Sequence, residues 1–105
     1  MSEEAVPGRG RRVIELIEYV CGLDGLTAYE RAAFLVLVRH ARFKKNGPGR
    51  THIGAERVAR ESGQSVRQVR RSLKTLRERG LISVRRVYRD GLERTNTTSL
   101  IMPLA

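Results

Sequence analysis

The residues able to do chemistry fall into two groups, and only one of them forms a pattern. Cys21, His40, His52 and Ser65 are where a catalytic or metal-binding reading would start. Cys21 is the only cysteine, so neither an internal disulfide nor a thiolate zinc cluster can be assembled, and a small buried hydrophobe is its simplest role. His52 and Glu56 are four apart, but no further His or Cys completes a metal set. His40, near the end of a helical stretch, suits the helix dipole. Ser65 has no base near it in sequence, and helix capping explains it. The glycines of GPGRTHIG do not match a phosphate-binding loop. With no triad, acid/base pair, metal set or cofactor loop, a binding module without a cofactor is expected, not an enzyme. The second group is cationic. Arg67, Arg70, Arg71, Lys74 and Arg77 crowd one short segment together with Gln68. Arginine forks onto guanine edges and phosphates, glutamine pairs with adenine, and lysine neutralises phosphate as a point charge.

The elements that must hold these side chains can be read around them. Ser65 is an N-cap, and Gln68 three places later completes a capping box. Val66, Val69, Leu73 and Leu76 make one helical stripe, and Gly80 suits a left-handed C-terminal cap. At ~100° per residue, Arg67, Gln68, Arg71 and Lys74 fall opposite that stripe, with Arg70 and Arg77 flanking it. Upstream, Val58 and Ala59 face a core, and Gly63 sits in a tight turn. Residues 54–80 are thus the sequence form of a helix-turn-helix, whose second helix enters a DNA major groove. Residues 81–102 alternate as a β-hairpin around Asp90-Gly91, a strong turn signal, which makes the unit a winged helix.

Around this unit the chain is simple. Residues 1–10 are polar and glycine-bearing, and a disordered tail is expected there. Residues 11–21 carry Val13, Ile14, Leu16, Ile17 and Val20 at helical spacing. Thr27 caps the next helix, with Glu30 completing a second capping box, and this helix is expected to run to about Arg42. Its centre, AAFLVLV, is apolar all round and calls for burial on more than one side. A basic loop spans 44–50, and residues 51–53 form a short strand against the hairpin, whose strands are expected at 81–88 and 95–102. The expected fold is mainly α with a small β-hairpin: one winged helix-turn-helix domain over 11–105, with an extra N-terminal helix.

Charge points to the partner. The chain has 21 Lys and Arg against 11 acids, a net charge of +10 over 105 residues. Segment 39–89 alone has a net charge of +13, while 1–38 and 90–105 are slightly acidic. Positive charge concentrated in the reading unit is the footprint of a polyanion partner. The start lacks the apolar core of a signal peptide, and the most apolar run, 32–38, falls far short of the ~20 residues of a membrane span. A cytoplasmic protein, nucleoid- or plasmid-associated, is the expectation.

LTAYERAAFLVLVRHA, GAERVARESGQSVRQVRRSLKTLRERGLI and a basic wing ending in TNTTSLIM together resemble a known family. It comprises the winged helix-turn-helix domains that open plasmid and phage replication initiators and also occur as small stand-alone bacterial regulators. The resemblance covers about residues 26–102 and is strongest at Val58-Ala59, Gly63, Ser65-Val66, Leu73, Leu76 and Gly80-Leu81-Ile82. Gly54 departs from it, because the family often caps that helix with Ser or Thr. The family's initiators usually carry further domains, and a chain ending after the wing suggests a small regulator or a partition-type adaptor.

These readings converge on sequence-specific binding of double-stranded DNA, as a small transcriptional regulator or accessory factor. A plasmid or phage replication or partition protein, or a winged helix that binds another protein, are the alternatives. Arg67, Gln68 and Arg71 would meet base edges, with Gln64 and Ser65 near the backbone at the helix start. Arg70, Lys74, Arg50, Lys44 and Lys45 would hold phosphates, and Arg85, Arg86 and Arg89 on the wing would reach a minor groove or its phosphates. The apolar surplus of 11–21 exceeds what a winged helix needs, so a homodimer through that helix is expected. No membrane or small-molecule partner is implied.

Overall fold

A computed structural model describes residues 8–43, 48–89 and 92–101. In chain order the elements are α1 (Gly8–Gly22), α2 (Ala28–His40), β1 (Arg42–Phe43), β2 (Gly49–Thr51), α3 (Ala55–Ser62), α4 (Val66–Glu78), β3 (Ile82–Arg89) and β4 (Leu92–Leu100). The fold is mainly helical with a small antiparallel sheet: a winged helix-turn-helix preceded by an extra helix.

α2 is the hub, and its sequence explains why. Thr27 Oγ1 accepts the Glu30 N–H at 3.1 Å while Glu30 Oε1 accepts the Thr27 N–H at 3.0 Å, so both halves of the expected capping box are formed. Ala33, Phe34, Leu37 and Val38 are buried, and Leu35 and Val36 are partly so. The all-round apolar centre is used: α2 packs against α1, α3, α4 and β2. Truncating fully buried Phe34 to Ala would remove about 3–5 kcal/mol. The helix stops at His40, short of the expected Arg42. Ala41 turns extended (φ −72°, ψ 141°), and Arg42 and Phe43 join a ladder with Arg50 and Gly49.

α1 starts at Gly8, so the last residues of the expected tail, 8–10, are helical, and the rest of that tail lies outside the described residues. Leu16 and Val20 are buried in the core. The turn from α1 to α2 is closed by two guanidiniums, one of them Arg79, whose Nη2 donates to the Asp24 carbonyl at 3.1 Å. Arg31 donates from Nη2 to the Leu23 carbonyl at 2.7 Å, from Nη1 to Leu26 at 2.9 Å, and from Nε to Val20 at 3.3 Å. A guanidinium with five fixed donors suits a cluster of orphan carbonyls at the end of a helix and in the turn that follows it.

α3 buries Val58 and Ala59 and ends at Gly63, whose φ of +72° needs no Cβ relief in glycine. α4 buries Val69, Ser72 and Leu76, with Val66 and Leu73 packed at the margin. It ends in a Schellman motif: Leu81 N–H to Leu76 O at 2.9 Å and Gly80 N–H to Arg77 O at 3.0 Å, around Gly80 at φ +76°. Leu81 and Leu76, both buried, close that motif with an apolar contact.

The strands order as β1-β2-β4-β3, all antiparallel. Gly49, Thr51, Thr98, Leu100 and Ile82 are buried on the face toward the helices. The expected strand at 51–53 is found slightly earlier, at Gly49–Thr51, and pairs with β4 as anticipated. Between Arg86 and Tyr88 the β3–β4 register shifts, two residues of β3 spanning three of β4. The Asp90-Gly91 turn lies outside the described residues, although Arg89 and Leu92 on either side of it pair.

Candidate nucleic-acid interface

The exposed side of α4 is built from its own buried side. With Val69, Ser72 and Leu76 facing inward, Arg67, Arg70, Arg71, Lys74 and Arg77 are left exposed. Among the described residues none of these five is held in an ion pair or a hydrogen bond. The helix start is set by Ser65, whose Oγ accepts the Gln68 N–H at 3.1 Å. The reverse half of that expected capping box does not form. Gln68 Nε2 instead donates to Ser72 Oγ at 3.4 Å, because a hydroxyl with no solvent access needs a partner one turn away.

Gln64 is committed to the turn. Its Nε2 donates to Ser62 Oγ at 3.0 Å and to the Tyr29 carbonyl at 3.2 Å, and its Oε1 is buried without a partner. Ser62 Oγ in turn donates to the Val58 carbonyl at 2.6 Å. This chain joins the start of α2 to the helix-turn-helix corner, and it draws the Gln64 amide away from any ligand facing α4.

The cations of α4 divide between two directions. Arg70, Lys74 and Arg77 line, with His52, Gly54 and Ala55, a groove of about 470 Å³ between α4 and the sheet. Its floor includes Leu73, Val84 and Ile53. Arg67 and Arg71 do not line the groove. At ~100° per residue they share a face turned away from the buried stripe. Gly54 gives α3 no side-chain cap. Backbone donors at a helix start without such a cap suit phosphate. His52, with Nδ1 3.3 Å from Thr97 Oγ1, is the groove residue that sequence reasoning missed. It lies outside any periodic element, so only the tertiary fold brings it to α4.

On the sheet, Arg50 is exposed in β2, and Arg85 and Arg86 are exposed in β3. Arg89 belongs to β3, but its side chain is not described; Lys44 and Lys45 lie outside the described residues. Beneath the helix-turn-helix, Glu61 is the acidic node. Its carboxylate lies 2.8 and 2.9 Å from His40 Nε2, accepts from Arg57 Nε at 3.0 Å and from Arg39 Nη1 at 3.3 Å. The His40 hydrogen bond foremost, then that from Arg57, lowers the Glu61 pKa from 4.5 to about 2. Among the described residues no cluster of His, Cys, Asp or Glu is suited to a metal, and no helix is long and apolar enough to cross a membrane.

Comparison with known proteins agrees with this architecture. A family model described as a helix-turn-helix domain matches residues 24–82, more than half of the chain. The match runs from within the α1–α2 turn to the first residue of β3. No curated protein matches the chain. No solved structure matches it either.

Proposed function

The chain belongs to the helix-turn-helix domain family, whose fold suggests DNA binding, and from that premise we propose that it reads double-stranded DNA by sequence as a small transcriptional regulator or accessory factor. The observation that carries this reading is the row of five exposed cations on α4, unpaired among the described residues, beside a groove of about 470 Å³. Arg67 and Arg71 take base edges in the major groove, with Gln68 beside them. Arg70, Lys74 and Arg50 hold phosphates, as do Lys44 and Lys45. Arg85, Arg86 and Arg89 follow the neighbouring backbone from the wing. Ser65 sets the helix start against the backbone, and Gln64 braces the turn that presents it.

Two half-sites would be read by a homodimer formed through α1. Ile14 and Ile17 remain 53% and 37% exposed on α1, and Cys21, expected to be a buried hydrophobe, is instead exposed near its end, which supports an apolar face awaiting a second copy. Selection from a random duplex pool, followed by footprinting, tests the proposal. One short protected palindrome is expected. Arrayed repeats would favour a plasmid or phage replication or partition role. No protection of any duplex would overturn DNA reading in favour of a protein partner.

A further inference from the structure

The sheet edge carries a second cationic cleft, apart from the face of α4. Arg42 and Arg50 are directly opposed partners on β1 and β2, and both are exposed. Opposed residues of an antiparallel ladder project to the same side, and like charges there weaken the pairing. Among the described residues neither has an acidic partner. With Arg57, His40 and His52 they line a cleft of about 380 Å³. The carboxylate touching two of these residues, Glu61, already serves His40, Arg57 and Arg39, so its charge is spent within the network. Arg57 is fixed through Nε alone, which leaves the end of its guanidinium for a ligand. An anion between Arg42 and Arg50 would turn their repulsion into charge-assisted hydrogen bonds, and the planar guanidinium matches phosphate geometry.

We propose that this cleft seats a phosphate group and that the phosphate comes from the backbone of the duplex held by α4. The inference rests on the DNA-reading function and extends it to residues that function does not use: Arg42, Arg57, His40 and His52. Continuity favours the backbone as the source, because His52 and Ile53 line both this cleft and the α4 groove. The two clefts are adjoining parts of one basic track. A free phosphate-bearing ligand has the same chemistry, and the experiment separates the two sources.

The full chain and its R42Q variant are titrated at several salt concentrations on two duplexes. One carries long flanks and the other is trimmed to the footprint core. Each phosphate contact adds about 0.9 to the magnitude of the log–log salt slope. On the long duplex the variant's slope is expected to fall by about 0.9; on the trimmed duplex the slopes coincide, and base preferences are unchanged. Thermal melting with inorganic pyrophosphate, at ionic strength matched with sodium chloride, forms the second arm. The wild-type midpoint is expected to rise more than the variant's. Without pyrophosphate the variant melts no lower than wild type, since the substitution removes one charge of a like-charge pair. Equal slopes with a pyrophosphate response confined to wild type would overturn the backbone source. Equal slopes and equal melting would overturn the site. A wild type that binds no duplex, yet responds to pyrophosphate through Arg42, would overturn DNA reading while supporting the phosphate seat.

Discussion

Arg67 and Arg71 differ from Arg70 and Lys74 in what surrounds them, and that difference predicts different losses. The first pair is exposed outside the groove, and the second lines it. Arg67→Ala or Arg71→Ala should remove roughly 1–3 kcal/mol of discrimination between cognate and random duplex. Arg70→Ala and Lys74→Ala should weaken binding evenly on all sequences and flatten the salt slope. Competition assays with cognate and scrambled duplexes check this, and equal effects from both pairs would refute the division. Glu61 supplies a second residue-level test. Its folded pKa, about 2, lies below the ordinary 4.5 expected of the unfolded chain. A depressed carboxylate stabilises the fold fully above the unfolded value and loses that contribution as pH falls toward the folded one. Urea melts of wild type and Glu61→Gln should therefore differ at pH 6, and the gap should narrow markedly at pH 3. A gap of the same size at both pH values would show that the Glu61 charge is not what the network uses.

At the scale of the element, legibility followed local chemistry. α4 was readable because its stripe, its Ser65 cap and its Gly80 terminus each act within one or two turns, and α2 was readable from Thr27, Glu30 and its apolar centre. β1 was not readable. Two residues carry no period, and Arg42–Phe43 become a strand only because Gly49 and Arg50 lie opposite them. The α4 cations were visible as a helical face, whereas the groove they share with His52 depends on where the sheet comes to rest. The Gln68 side chain was misread for a similar reason: its partner, Ser72, was hidden until the depth of that hydroxyl in the core was known. The termini of α4 make a quantitative prediction. Gly80→Ala forces a Cβ into a left-handed residue with open space around it, so conformational strain alone should destabilise the fold by roughly 1–2 kcal/mol. Ser65→Ala should remove about 1 kcal/mol. Chemical denaturation measures both, and a neutral Gly80→Ala would contradict the Schellman geometry.

At the scale of the whole molecule, the proposed dimer is tested on α1. Leu16 and Val20 belong to the monomer core, so deleting α1 would confuse unfolding with dissociation. Ile14→Glu/Ile17→Glu in the full chain avoids this, because both side chains are already substantially exposed. Sedimentation should show wild type as a dimer at tens of micromolar and the variant as a monomer with unchanged melting. A monomeric wild type would end the dimer proposal.

The three carbonyls gathered by Arg31 bear on protein engineering. Surface connections are usually where a chain accepts extra residues, since little is hydrogen-bonded there. The turn at 23–26 runs against that habit: its carbonyls are held by two rigid guanidiniums, Arg31 and Arg79, and a single inserted glycine would carry at least one carbonyl out of reach. Insertion scanning should therefore find 23–26 intolerant, with soluble yield collapsing there. Arg31→Lys should make the same turn less sensitive to length, because a lysine ammonium cannot span all three carbonyls in the first place.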